Sequence, residues 1–152
     1  MRLSLKILLP NRTMESIQSY YGNKIIMLKQ NTLTIPKEFV ESFEKRNQHK
    51  SGDLVGFLMP DRNFEVLRIY DNPMIKGFEN LEGFGIYPLV LQQGRRLFLP
   101  QEVTQRLNIK NSNAVILGEG NVFEIWNPLQ FNEFKKQYLP HYKEDAEKFF
   151  VA

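Results

Sequence analysis

The chain has 152 residues and a formal charge of +3, which permits nucleic-acid binding without requiring it. Hydrophobic residues make up 42% of the chain, enough for a packed core rather than a disordered tail. It has no cysteine, which excludes disulfides, thiolate zinc sites and cysteine nucleophiles, and we expect an intracellular protein. No run approaches the roughly 20 apolar residues of a membrane-spanning helix, so we expect no membrane partner.

Residues 1–19 are predicted to be an N-terminal tail or an edge strand. The apolar start resembles a signal peptide, but Lys6 interrupts the apolar run and Pro10 ends it. No small-residue cleavage site follows, which disfavours a targeting signal.

The next part of the chain contains one pattern twice. The run LTIPKEF at 33–39 recurs 64 residues later as LFLPQEV at 97–103. Alternating apolar residues predict a strand, the proline ends it and opens a short helix, and the glutamate suits the positive end of the helix dipole. A further strand precedes each copy, at 24–29 and 86–91.

Each predicted helix is followed by a polar link and then by two apolar runs joined by turn residues, which predicts a hairpin. The apolar runs are 54–59 and 64–70 in the first copy, and 114–117 and 122–126 in the second. Tyr70 and Trp126 end the two hairpins, and we expect their rings to pack in the core or in a subunit interface.

The repeat defines a first unit at 20–75, a short linker at 76–85 and a second unit at 86–127. A unit of this size is too small to bury a good core alone. We therefore expect the two units to pack together or to interleave their hairpins. We also expect self-association, because edge strands and exposed apolar stripes need cover.

Residues 128–152 are predicted to be helical. Asn127 is a good N-cap and Pro128 suits the first helical position. An aromatic stripe follows at helical spacing, and a second helix is predicted at 141–150. The stripe consists of Phe131, Phe134 and Tyr138. The second helix carries Tyr142, Ala146, Phe149 and Phe150, and this apolar stripe is expected to dock on the core or on a neighbouring subunit.

The chain resembles the MraZ family from about residue 21 to residue 138. The run VILGEGNVFEIW at 115–126, with the aromatic helix after it, is similar to the family's hairpin, and GRRLFLP at 94–100 is similar to its second strand–proline element. The family's units belong to the AbrB-like (SpoVT-type) swapped-hairpin class. The resemblance implies a mainly β fold with short helices (α+β), in which two tandem AbrB-like βαββ units form one pseudo-twofold β core, plus C-terminal helices.

The best candidate for DNA contact is the turn between two strands of the second copy. Arginine offers a planar fork of donors to phosphate or guanine, and glutamine can read adenine. Glycine allows a positive-φ turn close to a partner. The candidate residues here are Gln92, Gln93, Gly94, Arg95 and Arg96. Arg96 matches the arginine of the family motif, whereas Gln92 replaces its aspartate and Arg95 its glycine.

In the first copy, the family's aspartate, glycine and arginine are replaced by Leu28, Asn31 and Thr32. Lys29, Asn31 and Thr32 can still contact DNA, and we expect positioning contacts from them rather than sequence readout. Asn31 is able to adopt the left-handed turn conformation. The basic run at 45–50 is interpreted as a solvated loop.

No catalytic, metal or cofactor site is predicted. His49 and His141 lie in polar segments far apart, and no nucleophile or phosphate-loop motif is present. Glu65 and Glu124 fall within hairpin strands, where they are expected to be exposed or to be cross-strand partners.

The sequence thus predicts a non-enzymatic, DNA-binding transcriptional regulator. From the resemblance we expect it to bind double-stranded DNA near cell-division and cell-wall genes, in the cytoplasm with the nucleoid, as a homo-oligomer such as a ring. The alternative is a ring-forming structural or interaction protein that keeps the fold and has lost specific DNA binding.

Overall fold

The computed structural model describes residues 19–61, 64–71 and 85–138. In this part of the chain eight strands and three helices are present. The strands are β1 (Asn23–Lys29), β2 (Thr32–Thr34), β3 (Gly52–Asp61), β4 (Phe64–Asp71), β5 (Ile86–Gln92), β6 (Arg96–Phe98), β7 (Asn113–Gly118) and β8 (Val122–Trp126). The helices are α1 (Lys37–Asn47), α2 (Gln101–Leu107) and α3 (128–138).

The strands form one closed antiparallel barrel in the order β1-β2-β6-β5-β3-β4-β8-β7. Four of the eight pairings join the two halves of the chain, namely β1 with β7, β2 with β6, β3 with β5 and β4 with β8. Neither half completes a sheet alone, because each hairpin lies between strands of the other half. The prediction of a mainly β fold with short helices and interleaved hairpins is confirmed.

The pairing register repeats the sequence duplication. Between β2 and β6, Leu33 pairs with Leu97, its counterpart 64 residues later. The two flanking pairs exchange when every residue is shifted by the same 64 positions. These flanking pairs are Thr32–Phe98 and Thr34–Arg96. The same crossing is extended by two equivalent hydrogen bonds, from Ile35 N to Arg95 O and from Leu99 N to Asn31 O.

Both helices of the repeat begin and end alike. Pro36 precedes α1 with φ −56° and ψ 146°, and Pro100 precedes α2 with φ −57° and ψ 146°. The helices end at Gln48 and Asn108, which both adopt the left-handed conformation. The prediction that each proline opens a short helix is confirmed.

Alternate side chains of the strands fill the barrel, and the inner sides of α1 and α2 complete this core. Trp126 lies outside it, fully buried between β8 and α3 in a second cluster with Val66, Val115 and Phe131. The ring of Phe134 lies 5.0 Å from that of Trp126. The predicted packing role of Trp126 is confirmed, and the aromatic stripe docks on the barrel of its own chain.

One prediction about the first hairpin was wrong. The turn expected at 60–63 begins later, because β3 continues through Pro60 to Asp61. Pro60 lies beyond the last β3–β5 pair, Phe57–Ile86, so its missing N–H breaks no bond to β5. Most of the predicted N-terminal tail, the linker and the second C-terminal helix lie outside the described residues.

Candidate nucleic-acid interface

Four of the eight predicted contact residues lie on one outer face of the barrel. In β1, β2, β6 and β5 the leucines point into the core, so the residues between them point outward. We call this outer side of the four strands the four-strand face. It carries Lys29, Thr32, Gln92 and Arg96, together with the apolar side chains Ile25, Met27, Val90 and Phe98.

The register places these polar residues in two neighbouring cross-strand rows. Arg96 lies between Gln92 of β5 and Thr34 of β2. In the next row, Thr32 lies between Lys29 of β1 and Phe98 of β6. Side chains directly opposite on antiparallel strands are in contact distance. One partner can therefore be contacted by residues of both copies.

The two turns that flank this face differ in length and backbone. The first has two residues between Lys29 and Thr32, and the second has three, at 93–95. Gly94 has φ +81° and Arg95 φ +65°, which confirms the positive-φ turn predicted at Gly94. In the first turn Gln30, not Asn31, has the positive φ (+56°). Asn31 therefore does not adopt the left-handed conformation that its side chain suits, and Gln30 adopts the positive φ in its place.

The first turn is bonded to the second half of the chain. Gln30 N donates to Asn111 Oδ1 at 2.5 Å, and Asn111 N donates to Gln30 O at 3.3 Å. Thr104 Oγ1 donates to Asn31 Oδ1 at 2.7 Å. The amide oxygen of Asn31 is thus used inside the molecule, where it fastens the turn to α2.

The second turn borders an open cleft instead. The cleft has a volume of about 410 Å³ and lies between the turn at 93–95 and the link that follows α1. We call it the open cleft; it is lined by Val40, His49, Lys50, Ser51, Gln93, Gly94 and Arg95. Val40 is the counterpart of Thr104 in the first copy, since it lies 64 residues earlier. Valine has no hydroxyl group, so it cannot make the hydrogen bond by which Thr104 holds the first turn.

Sequence reasoning missed the link that borders this cleft. Residues 45–50 were interpreted as a solvated loop, but residues 45–47 form the last turn of α1. His49 and Lys50 are exposed, as expected, and line the same cleft as Arg95. Arg46, in contrast, points inward and donates two hydrogen bonds, of 2.5 and 3.0 Å, to the carboxylate of Asp71. The sequence alone does not show which charged residue of such a run points into the protein at the end of a helix.

The charge around the second turn is positive. Within the described residues no carboxylate forms an ion pair with Lys50, Arg95 or Arg96. The hydrogen bond from Lys24 lowers the pKa of Glu38, and the positive charge of Arg95 contributes to that lowering. Arg95 thus lies close enough to Glu38 to act on it through its charge, although the two form no ion pair.

The glutamates of the hairpins have structural partners. Glu124 is fully buried and accepts hydrogen bonds from Arg68 Nε at 2.8 Å and Trp126 Nε1 at 2.9 Å. It pairs across the strands with Arg68, as one of the two expectations had it; the expectation of exposure was wrong. Glu65 forms an ion pair with Arg106. The buried charge of Glu124 is thus paired and hydrogen-bonded, as a buried carboxylate requires.

The described part of the chain contains no group of three His, Asp or Glu side chains able to hold a metal ion. His49 is exposed, and His141 lies outside the described residues. Among the helices that the structure describes, none has the length and apolar character to cross a membrane.

Comparison with known proteins adds no assignment to this geometry. No protein-family model matches the chain, and no curated protein matches it either. The candidate interface is defined by the four-strand face, the turn at 93–95 and the open cleft beside it.

Proposed function

We propose that the chain is a DNA-binding transcriptional regulator of the MraZ type. Its two halves would be tandem AbrB-like βαββ units that share one pseudo-twofold core. The symmetric register around Leu33 and Leu97 and the exchange of hairpins between the halves support this proposal. The resemblance of residues 94–100 and 115–126 to the family supplies the function.

The single observation that carries DNA binding is the pair Arg95 and Arg96, which are exposed and without an ion-pair partner in the described residues. Each guanidinium can bond a phosphate or the edge of a guanine with two parallel hydrogen bonds. Gln92 lies directly across from Arg96 and can read an adenine beside it. Lys29 and Thr32 lie in the adjacent row, where they suit contacts to the DNA backbone.

The biological setting is part of the same proposal. The partners are double-stranded DNA and further copies of the chain, as a homo-oligomer such as a ring. The protein would act in the cytoplasm, with the nucleoid, on promoters near cell-division and cell-wall genes. It would use no cofactor and carry out no catalysis.

One observation favours the alternative of a ring-forming structural protein. The first turn has neither the glycine nor the arginine of the family motif, and its Asn31 is bonded to Thr104. Only the second turn then offers readout groups. A scaffold that had lost specific DNA binding would need no more than the fold and the apolar part of the four-strand face.

The decisive experiment is a selection of bound sequences from random duplex DNA, followed by binding measurements on an Arg95→Ala/Arg96→Ala variant. We expect a repeated short motif and weaker binding by the variant. The slope of log K against log salt should become shallower by about 0.9 for each phosphate that the variant no longer neutralises. If one arginine reads a guanine, discrimination at that base falls by about 1–3 kcal/mol.

Two control variants separate surface chemistry from folding. Lys135→Ala/Lys136→Ala removes two positive charges from α3, which is not one of the elements that form the four-strand face, and should leave binding unchanged. Trp126→Ala removes a buried ring and should lower the free energy of unfolding by about 3–5 kcal/mol. Unchanged affinity, salt slope and base preference in the double arginine variant would favour the scaffold.

A further inference from the structure

We propose that the open cleft binds one backbone phosphate of duplex DNA between Lys50 and Arg95. This inference rests on the proposed function. It adds a DNA contact from the link after α1, a segment that lies outside the strand–proline motif. Lys50 lies in the link after α1, and Arg95 lies in the turn between β5 and β6, so the cleft joins the two halves of the chain.

The groups that line the cleft match the chemistry of a phosphodiester. A guanidinium offers paired donors and a lysine ammonium offers a compact charge, and both bind phosphate oxygens. The hydroxyl of Ser51 and the ring of His49 add neutral donors to the same lining. Among the described residues that line the cleft none is a carboxylate, and the nearby Glu38, on which the charge of Arg95 acts, forms an ion pair with Lys24.

Gly94 leaves the turn side of the cleft accessible. It has φ +81°, and the nearest atom to a Cβ placed on it would be Arg96 Nε at 4.0 Å. A side chain at this position would project into space that is empty in the structure and would be strained at this φ. The backbone of the turn can therefore approach a phosphate closely, as glycine turns do at other phosphate sites.

The first turn, at residues 30–31, differs from the turn at 93–95, because side chains of the second half bond to it. Asn111 and Thr104 bond the first turn to the end of α2 and the link after it. In the first half, Val40 occupies the position of Thr104, and the cleft separates the link after α1 from the turn at 93–95. The duplication has thus produced one fastened turn and one turn with a basic cleft beside it.

The test uses the full-length protein and a fluorescent duplex, with binding measured by anisotropy between about 50 and 200 mM salt. Lys50→Gln and Arg95→Gln should each make the log K against log salt slope shallower, and the double variant should lose about 0.9 in total, because both side chains bind the same phosphate. Lys110→Gln is the matched control, because Lys110 is exposed in the link after α2, beside the fastened turn. It should leave the slope unchanged.

A second arm separates backbone phosphate from free phosphate. Inorganic phosphate is titrated into labelled protein while the amide signals of residues 49–51 and 93–95 are followed, with and without the duplex. DNA that displaces phosphate from these amides, in the wild type but not in Lys50→Gln, supports the inference. Phosphate binding that DNA does not displace overturns it.

The failures of the two proposals are distinguishable. If Arg96→Ala weakens DNA binding while Lys50→Gln and Arg95→Gln keep the wild-type slope, the cleft is not a phosphate site and the proposed function stands. If the wild-type protein binds no duplex at any salt concentration, both proposals are wrong.

Discussion

The carboxylate of Asp71 is the most heavily bonded polar group at the end of the first hairpin. It is fully buried and accepts hydrogen bonds from Tyr20 Oη at 2.9 Å, from Arg46 at 2.5 and 3.0 Å, and from Asn47 Nδ2 at 3.3 Å. A buried charge is tolerated when it is paired and its lone pairs are bonded. These contacts join β4, the last turn of α1 and the segment before β1.

Tyr20 should make the stability of the protein sensitive to alkaline pH. Burial, with a further effect of Asp71, raises its pKa above the usual 10.0, so the folded state keeps the phenol proton where the unfolded chain loses it. The contribution of Tyr20 to the free energy of unfolding is complete below pH 10. Above pH 10 it decreases by about 1.4 kcal/mol per pH unit. We expect urea unfolding to show this extra decrease in the wild type and not in Tyr20→Phe.

The control for this prediction is Tyr21→Phe, because Tyr21 is exposed and its change should leave the alkaline slope as in the wild type. Equal alkaline slopes in the wild type and Tyr20→Phe would contradict the prediction.

Single residues were predictable where the signal is local. Gly94 follows from the positive φ that a tight turn needs, and the burial of Trp126 follows from the size of its ring. The role of Asn31 was not predictable, because its partner Thr104 is 73 residues away in sequence. The same holds for Lys50 and Arg95, which only the barrel brings to one cleft.

At the scale of elements, Asn127 connects two helices. Its Oδ1 accepts hydrogen bonds from Leu129 N at 2.8 Å and Gln130 N at 3.2 Å, which confirms the predicted N-cap of α3. Its Nδ2 donates to Leu107 O at 2.9 Å, at the end of α2. One amide therefore satisfies free backbone groups at both helix ends.

Replacing Asn127 should lower stability in two steps. Asn127→Asp keeps the acceptor for α3 and loses the donor to α2, whereas Asn127→Ala loses both. We expect the alanine variant to lose about 1–3 kcal/mol, the sum of a lost cap and an unsatisfied carbonyl, and the aspartate variant to lose less. Chemical denaturation measures both, and an alanine variant within about 0.5 kcal/mol of the wild type would refute the double role.

The elements themselves were largely predictable, because the alternating runs, the two prolines and the cap are local signals. The continuation of β3 to Asp61 was missed, since Pro60 is a turn residue in most contexts and here lies beyond the β3–β5 pairs. The order of strands around the barrel depends on pairs between the halves of the chain, which periodicity does not encode.

At the scale of the whole molecule, two of the reasons for expecting self-association do not hold. The barrel is closed, so the described strands leave no free sheet edge, and Phe131 is buried on its own chain. What remains is the apolar part of the four-strand face. Ile25 is 71% exposed, Met27 70%, Phe98 53% and Val90 50%. They form two exposed apolar pairs, one on β1 and one on β5 and β6, with polar residues of β2 and β6 between them. Exposed apolar patches mark interaction surfaces.

We therefore expect association through the four-strand face. Light scattering at high micromolar concentration should give a mass above the 17.9 kDa of one chain, and Met27→Glu/Val90→Glu should lower it. Leu129→Glu is the control, because Leu129 is 75% exposed on α3 and its change should leave the mass unaltered. A wild-type monomer under these conditions would contradict the prediction.

Because the strands of the two halves are interleaved, the barrel can close only after the second half has been synthesised. Ile25 of β1 pairs with Val115 of β7, which the ribosome adds roughly 90 residues later, or about 5–20 s later at ordinary rates of synthesis. β4 likewise waits for β8. During that interval the hairpins β1–β2 and β3–β4 can form, but their outer edges lack the strands of the second half, and such edges pair readily with other chains. The duplicated architecture therefore leaves the growing polypeptide with unpaired strand edges until the last strands have been synthesised.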